Sequence, residues 1–191
     1  MPLPTQELQA GRVYRTRDLR QWTSNPTRLA AQLTREGRFW KLRGGLYYCP
    51  ETSRFGPVPP DDEELLRAFL GDAFVVTGPP RWNSLGLGAT ALFALPLVYN
   101  RKRSGRIRFG SRDFQLRRVR FPEDPPDEWF AVDLLENHGM AGISLSELEA
   151  GLDRALRHGR LDGPRLSRMA GEYGTQRTRD LVERLLGAKA A

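Results

Sequence analysis

At 191 residues the chain is long enough for one large domain or two small ones, and 39% hydrophobic residues permit a packed core. A net charge of +7, from 30 Lys+Arg against 23 Asp+Glu, favours a polyanionic partner. Cys49 is the only cysteine, so no disulfide forms within the chain; "MPLPTQELQAG" lacks the apolar run of a signal peptide, and no stretch approaches the ~20 apolar residues that cross a bilayer. These features predict a cytoplasmic protein without a membrane partner.

The charge is uneven. Residues 1–60 hold 10 basic and 4 acidic side chains, whereas residues 128–191 hold 9 and 10. The basic end opens with a short helix expected over 4–10 and stopped by Gly11, then a brief strand at Val13 and Tyr14. Thr16 caps a second helix, with Asp18 in its first turn. Asn25 is a strong N-cap for a third, Pro26 suits its first position, and Gly37 ends it after Glu36. "RFWKL" and "LYYC" then pair as strands around "RGG". This order predicts a winged helix-turn-helix over residues 1–50.

Prolines mark 51–60 as a linker. The remainder, 61–191, is expected to be a second domain, mixed α/β over 61–121 and helical over 128–191. "PDDEELLRAFLG" reads as a helix, "AFVVT" as a strand, and "RWNSLGLGATALFAL" as helical at its start. "LVYN", "RIRF" and "FQLRRVRF" make a small basic sheet. After "PEDPPDE", "SLSELEAGLDRALRHG" carries a Ser144/Glu147 capping box, and "GTQRTRDLVERLLG" closes the tail. The fold class is therefore α+β.

On the third helix Leu29, Ala30 and Leu33 point inward, while Arg28, Gln32 and Arg35 follow one outer face beside Thr27. In the major groove arginine pairs with guanine and glutamine with adenine, and capped helix starts such as Asn25 meet phosphates. Arg38, Lys41 and Arg43 lie on the hairpin, placed for phosphates or the minor groove. A merely solvated helical face would carry the same pattern, but the hairpin behind it and the local positive field favour DNA. A second basic surface joins Arg101, Lys102, Arg103, Arg106, Arg108, Arg117, Arg118 and Arg120, suited to DNA or an acidic partner. Such charges also protect edge strands.

Enzyme chemistry finds no foothold. His138 and His158 stand at expected helix ends, one cysteine makes no zinc site, and "GLGAT" lacks the lysine of a phosphate-binding loop. No catalytic residue, cofactor or metal is expected.

The stretches "VYRTRDL…NPTRLAAQLTREGRFWKLRGGLYY", "FVVTGPPRWNSLGLGAT" and "LSRMAGEYGTQRTRDLVERLL" resemble, in pattern and order, the AbiEi-type antitoxins. The resemblance implies an N-terminal domain that represses its own operon through inverted repeats in operator DNA. It also implies a C-terminal domain that counters a nucleotidyltransferase-like toxin. The alternative is a winged-helix regulator whose C-terminal domain senses a ligand or dimerises, with no toxin.

Overall fold

The structure is a computed structural model that describes residues 8–89 and 95–187. It is a mixed α+β protein of helices and several small sheets. Described residues up to Phe74, together with Arg106–Asp113, form one compact unit; Val75–Gly105 and the described residues from Phe114 onward form another.

The first unit is built on a three-stranded antiparallel sheet in which β3 (Leu46–Tyr48) lies between β1 (Val13–Arg15) and β2 (Trp40–Arg43). Gly45, at φ 75°, takes the left-handed conformation that the tight β2–β3 turn needs. A 3-10 helix over Thr16–Gln21 and α1 (Pro26–Arg35) pack with the sheet. Leu19, Leu29, Ala30 and Leu33 are buried with Tyr14, Phe39 and Tyr47. Phe39 stacks between the two tyrosines, with ring centroids 5.5 and 5.9 Å apart, so the aromatic cluster carries much of this small core.

The helix expected over 4–10 begins outside the described residues, and residues 8–10 are not helical. The helix expected after Thr16 is 3-10, not α. Asp18 ties its start by accepting the Arg15 amide at 2.8 Å.

The stretch expected as a linker instead folds. β4 (Glu51–Ser53) and β5 (Gly56–Val58) form a hairpin, and the Tyr48 hydroxyl donates to the Val58 carbonyl at 2.9 Å. Pro57 is tolerated because a two-stranded ribbon has only edges. α2 (Asp62–Leu70), expected in the second domain, belongs to the first unit. Its Glu64 accepts the Val13 amide at 3.2 Å, and the Arg15 guanidinium donates to the carbonyls of Arg67 and Ala68 at its end. These long-range polar ties leave no trace in hydrophobic periodicity.

In the second unit, β6 (Phe74–Thr77) leads to the short α3 (Pro79–Ser84), and residues 90–94, expected to be partly helical, lie outside the described residues. β7 (Leu97–Asn100) neighbours β6, and β9 (Arg112–Arg118), of this unit from Phe114 onward, runs parallel to β7 with Val98 opposite Leu116; β8 (Gly105–Phe109) belongs, apart from Gly105, to the first unit. Four helices complete the unit: α4 (Asp127–Glu136), α5 (Leu145–Arg157), α6 (Gly163–Tyr173) and α7 (Gln176–Gly187). The expected capping box opens α5: Ser144 accepts the Glu147 amide, and Glu147 accepts the Ser144 amide at 3.0 Å. α4 lies at the centre, with Trp129, Phe130, Leu134 and Leu135 buried among Leu148, Leu152, Leu166 and Leu181.

The turn between β8 and β9 completes the first unit. The Gly110 amide donates to the Leu42 carbonyl at 3.1 Å, Phe109 meets Phe69 edge-on at 5.2 Å, and Arg112 pairs with Asp62. Gly110 has φ 60°, the left-handed value this turn demands.

Candidate nucleic-acid interface

α1 is amphipathic by construction. Leu29, Ala30 and Leu33 enter the core, which leaves Thr27, Arg28, Ala31 and Arg35 exposed. Asn25 caps it by accepting the Arg28 amide at 3.1 Å, so this side chain is occupied within the helix start. No acidic residue stands in the first turn, and Arg28 sits where the helix dipole disfavours a cation. Helix stability alone therefore does not explain Arg28. Among the described residues neither Arg28 nor Arg35 has a carboxylate partner. Gln32 differs: it is half-buried, and its amide donates to Glu36 at 2.9 Å. Reading a base would require Gln32 to leave that bond.

Lys41 and Arg43 are exposed on β2. Arg43 also lies over the Phe69 ring, 5.6 Å from its centroid, an arrangement that fixes the guanidinium without neutralising it. Arg38 is half-buried near the buried Cys49, whose thiol burial pushes upward while the arginine's charge opposes the shift. The first unit thus carries Asn25 at the N-cap of α1, Thr27, Arg28, Gln32 and Arg35 on the helix, Arg38 after it, and Lys41 and Arg43 on β2.

Sequence reading passed over the turn of the β4–β5 hairpin, where Phe55 is 86% exposed and Arg54 lies over its ring at 4.6 Å. Its signal was an aromatic–glycine pair inside a proline-rich stretch that reads equally well as a linker.

The residues of the second basic cluster are divided between the two units. Arg106 and Arg108 belong to the first unit, where both bind Asp113, at 2.9 Å from each guanidinium. These two hydrogen-bonded arginines hold the Asp113 carboxyl far below the usual carboxylate range. Arg101, Lys102, Arg103, Arg117, Arg118 and Arg120 belong to the second unit. Arg117 is half-buried and donates to Asn137 at 2.9 Å; Arg101 lies over the Phe121 ring at 5.5 Å.

Sequence reading also missed a buried carboxylate in the second unit. Asp133, 6% exposed, accepts hydrogen bonds from Thr77 (2.5 Å), the Trp82 indole (2.8 Å), the Tyr99 hydroxyl (2.6 Å) and the Asn137 amide (3.0 Å). Burial raises its pKa above the ordinary value, with the donors opposing the shift; burial together with the Asp133 charge pushes the Tyr99 phenol upward. Asn137 caps the helix that carries Asp133, but the other three donors come from β6, α3 and β7, far away in sequence, so no local spacing announces the cluster. A recess of about 300 Å³ adjoins it, lined in part by Tyr99, Arg117, Arg120, Trp129, Asn137 and Tyr173.

His158 Nδ1 bonds the Arg154 carbonyl at 2.7 Å at the end of α5, a capping role. Among the described residues no group of three or more His, Cys, Asp or Glu is placed to hold a metal ion, and no helix is long and apolar enough to cross a membrane. In sequence, the chain matches no protein-family model and no curated protein.

Proposed function

We propose that this chain is a DNA-binding antitoxin that represses its own operon, its first unit acting as a winged helix-turn-helix. One observation carries the DNA reading: the outer face of α1 presents Arg28 and Arg35 without acidic partners among the described residues, ahead of a hairpin bearing Lys41 and Arg43. On this reading α1 enters the major groove, Arg28 and Arg35 read base edges, and the hairpin cations meet phosphates. The antitoxin role rests on the sequence resemblance, with a nucleotidyltransferase-like toxin as partner. On this reading the chain acts by binding, without catalysis and without a cofactor.

The recess beside Asp133 favours a second reading, a regulator whose second unit senses a small ligand and has no toxin. Co-purification with the product of the neighbouring reading frame separates the two. Stable capture of a nucleotidyltransferase-like protein supports the antitoxin; its absence supports the sensor.

The DNA reading is tested by titrating the upstream duplex and a scrambled duplex at several salt concentrations. Arg28→Ala or Arg35→Ala is expected to cost ~1–3 kcal/mol on the upstream duplex and to relax base preference at one position. Lys41→Ala is expected to weaken both duplexes alike and to lower the salt slope by about one. Parent-like binding by all three variants would sink the DNA reading.

A further inference from the structure

The second unit contains two adjoining recesses. One, of about 300 Å³, is lined in part by Arg117, Trp129 and Tyr173; the other, of about 290 Å³, is walled by Arg101, Arg118, Val119 and Arg120. Val119 and Arg120 line both, so the two recesses share a wall. Among the described residues Arg101, Arg118 and Arg120 have no carboxylate partner, whereas Arg106, Arg108, Arg112, Arg157 and Arg165 each have one. Three cations facing one recess repel one another, and a bound anion would remove that repulsion. Guanidinium groups also match phosphate oxygens in geometry.

The adjoining recess supplies what an anion alone would not use. Tyr173 is half-buried in its wall and packs edge-on against Trp129, with centroids 6.5 Å apart. The floor is held by a continuous chain of hydrogen bonds, from Arg117 to Asn137 at 2.9 Å and from Asn137 to Asp133 at 3.0 Å. A rigid floor, an aromatic wall and a cationic rim fit a planar ring that carries a phosphate. Bases of a duplex are stacked inward and cannot enter such a recess, which favours a free nucleotide.

We propose that the two neighbouring recesses together bind a free nucleoside monophosphate, with its phosphate on Arg101, Arg118 and Arg120 and its base against Tyr173. The site is independent of the DNA reading of the first unit, and failure of either leaves the other standing. The test is isothermal titration of the full chain with AMP, GMP, CMP and UMP in turn, and separately with inorganic phosphate and adenosine.

At least one monophosphate is expected to bind about tenfold tighter than phosphate or adenosine. Arg118→Ala combined with Arg120→Ala is expected to weaken it about tenfold or more. Tyr173→Ala should bring the nucleotide down to the affinity of phosphate and leave phosphate unchanged. Arg120→Glu, a change at an exposed position, is the second variant should the double substitution unfold the chain, and it must also abolish nucleotide binding. Equal affinity for phosphate and every nucleotide would leave only an anion patch and overturn the proposal. So would nucleotide binding that survives Arg120→Glu, a response to duplex DNA alone, or no binding.

Discussion

α1 and α4 are both ten residues long, yet they solve opposite problems. α1 buries three residues and leaves an arginine-bearing face in water. α4 buries eight, from Glu128 to Leu135, including the carboxylate of Asp133. The buried helix must satisfy every polar group with protein partners, and it does so with donors drawn from across the second unit. The surface helix can leave its cations unpaired because water solvates them, which keeps them available to a polyanion. Substitutions that separate packing from availability test this contrast.

The largest effect is expected at Asp133. Asp133→Ala takes from Thr77, the Trp82 indole, Tyr99 and Asn137 an acceptor they share in a buried cluster. A loss of about 3–5 kcal/mol is expected, the range for removing one member of a buried charged network. Chemical denaturation followed by Trp fluorescence measures it. A loss under ~1 kcal/mol would mean that water reaches the cluster and that α4 is not the sealed helix described here.

Next comes Leu33, fully buried on the inner face of α1. Leu33→Ala should cost about 2–5 kcal/mol through lost transfer energy and the cavity left behind. Arg35→Ala, two residues along and exposed, should change stability by no more than ~0.5 kcal/mol. If Arg35→Ala destabilised the fold as Leu33→Ala does, the outer face would be structural.

The same contrast explains what the sequence could disclose. α1 was legible because Asn25, Pro26, Leu29, Leu33 and Gly37 write cap, start, period and stop in order, and the structure places each in that role. β7 and the α5 capping box were legible for similar local reasons. α4 carried no usable period, because a helix buried all round has no polar face to alternate with. The Asp133 cluster, the allegiance of α2 and the docking of the β8–β9 turn rest on partners far apart in sequence, such as Val13 with Glu64 and Leu42 with Gly110. Of the candidate interface, exposure at Arg28 and Arg35 was readable; the Gln32–Glu36 bond and the Asp113 clamp on Arg106 and Arg108 were not.

Two glycines sharpen the picture at smaller magnitude. Gly151 is buried in α5, and a Cβ there would stand 2.5 Å from the Leu87 carbonyl oxygen. Gly151→Ala gains helix propensity but forces backbone apart, so a net loss of about 1–3 kcal/mol is expected. Gly171 in α6 is exposed, with nothing within 4 Å of an added Cβ. Gly171→Ala should stabilise by about 0.5–1 kcal/mol. Thermal melts of the pair measure both signs; equal effects would show that the α5 approach to Leu87 is loose.

The smallest expected effect lies at Asp113, where the first unit does pair its cations. Arg106 and Arg108 hydrogen-bond the carboxylate and hold its pKa below the ordinary 3.8. A carboxyl whose folded pKa is depressed contributes stability above its unfolded value and loses it as pH falls toward the folded one. Asp113→Asn should therefore lower the urea midpoint slightly at neutral pH, and the gap from the parent should close as pH drops below 3.8. The gap should also shrink in salt, because both arginines are exposed. A pH-independent gap would mean that the clamp adds nothing to stability. The same substitution releases two guanidiniums from their neutralising partner, making this hairpin resemble the outer face of α1. Binding to a duplex should then tighten at low salt, with a steeper salt dependence than the parent shows. A tighter duplex together with a weaker fold would separate, in one residue, the cations that hold the molecule together from those left free to meet a polyanion.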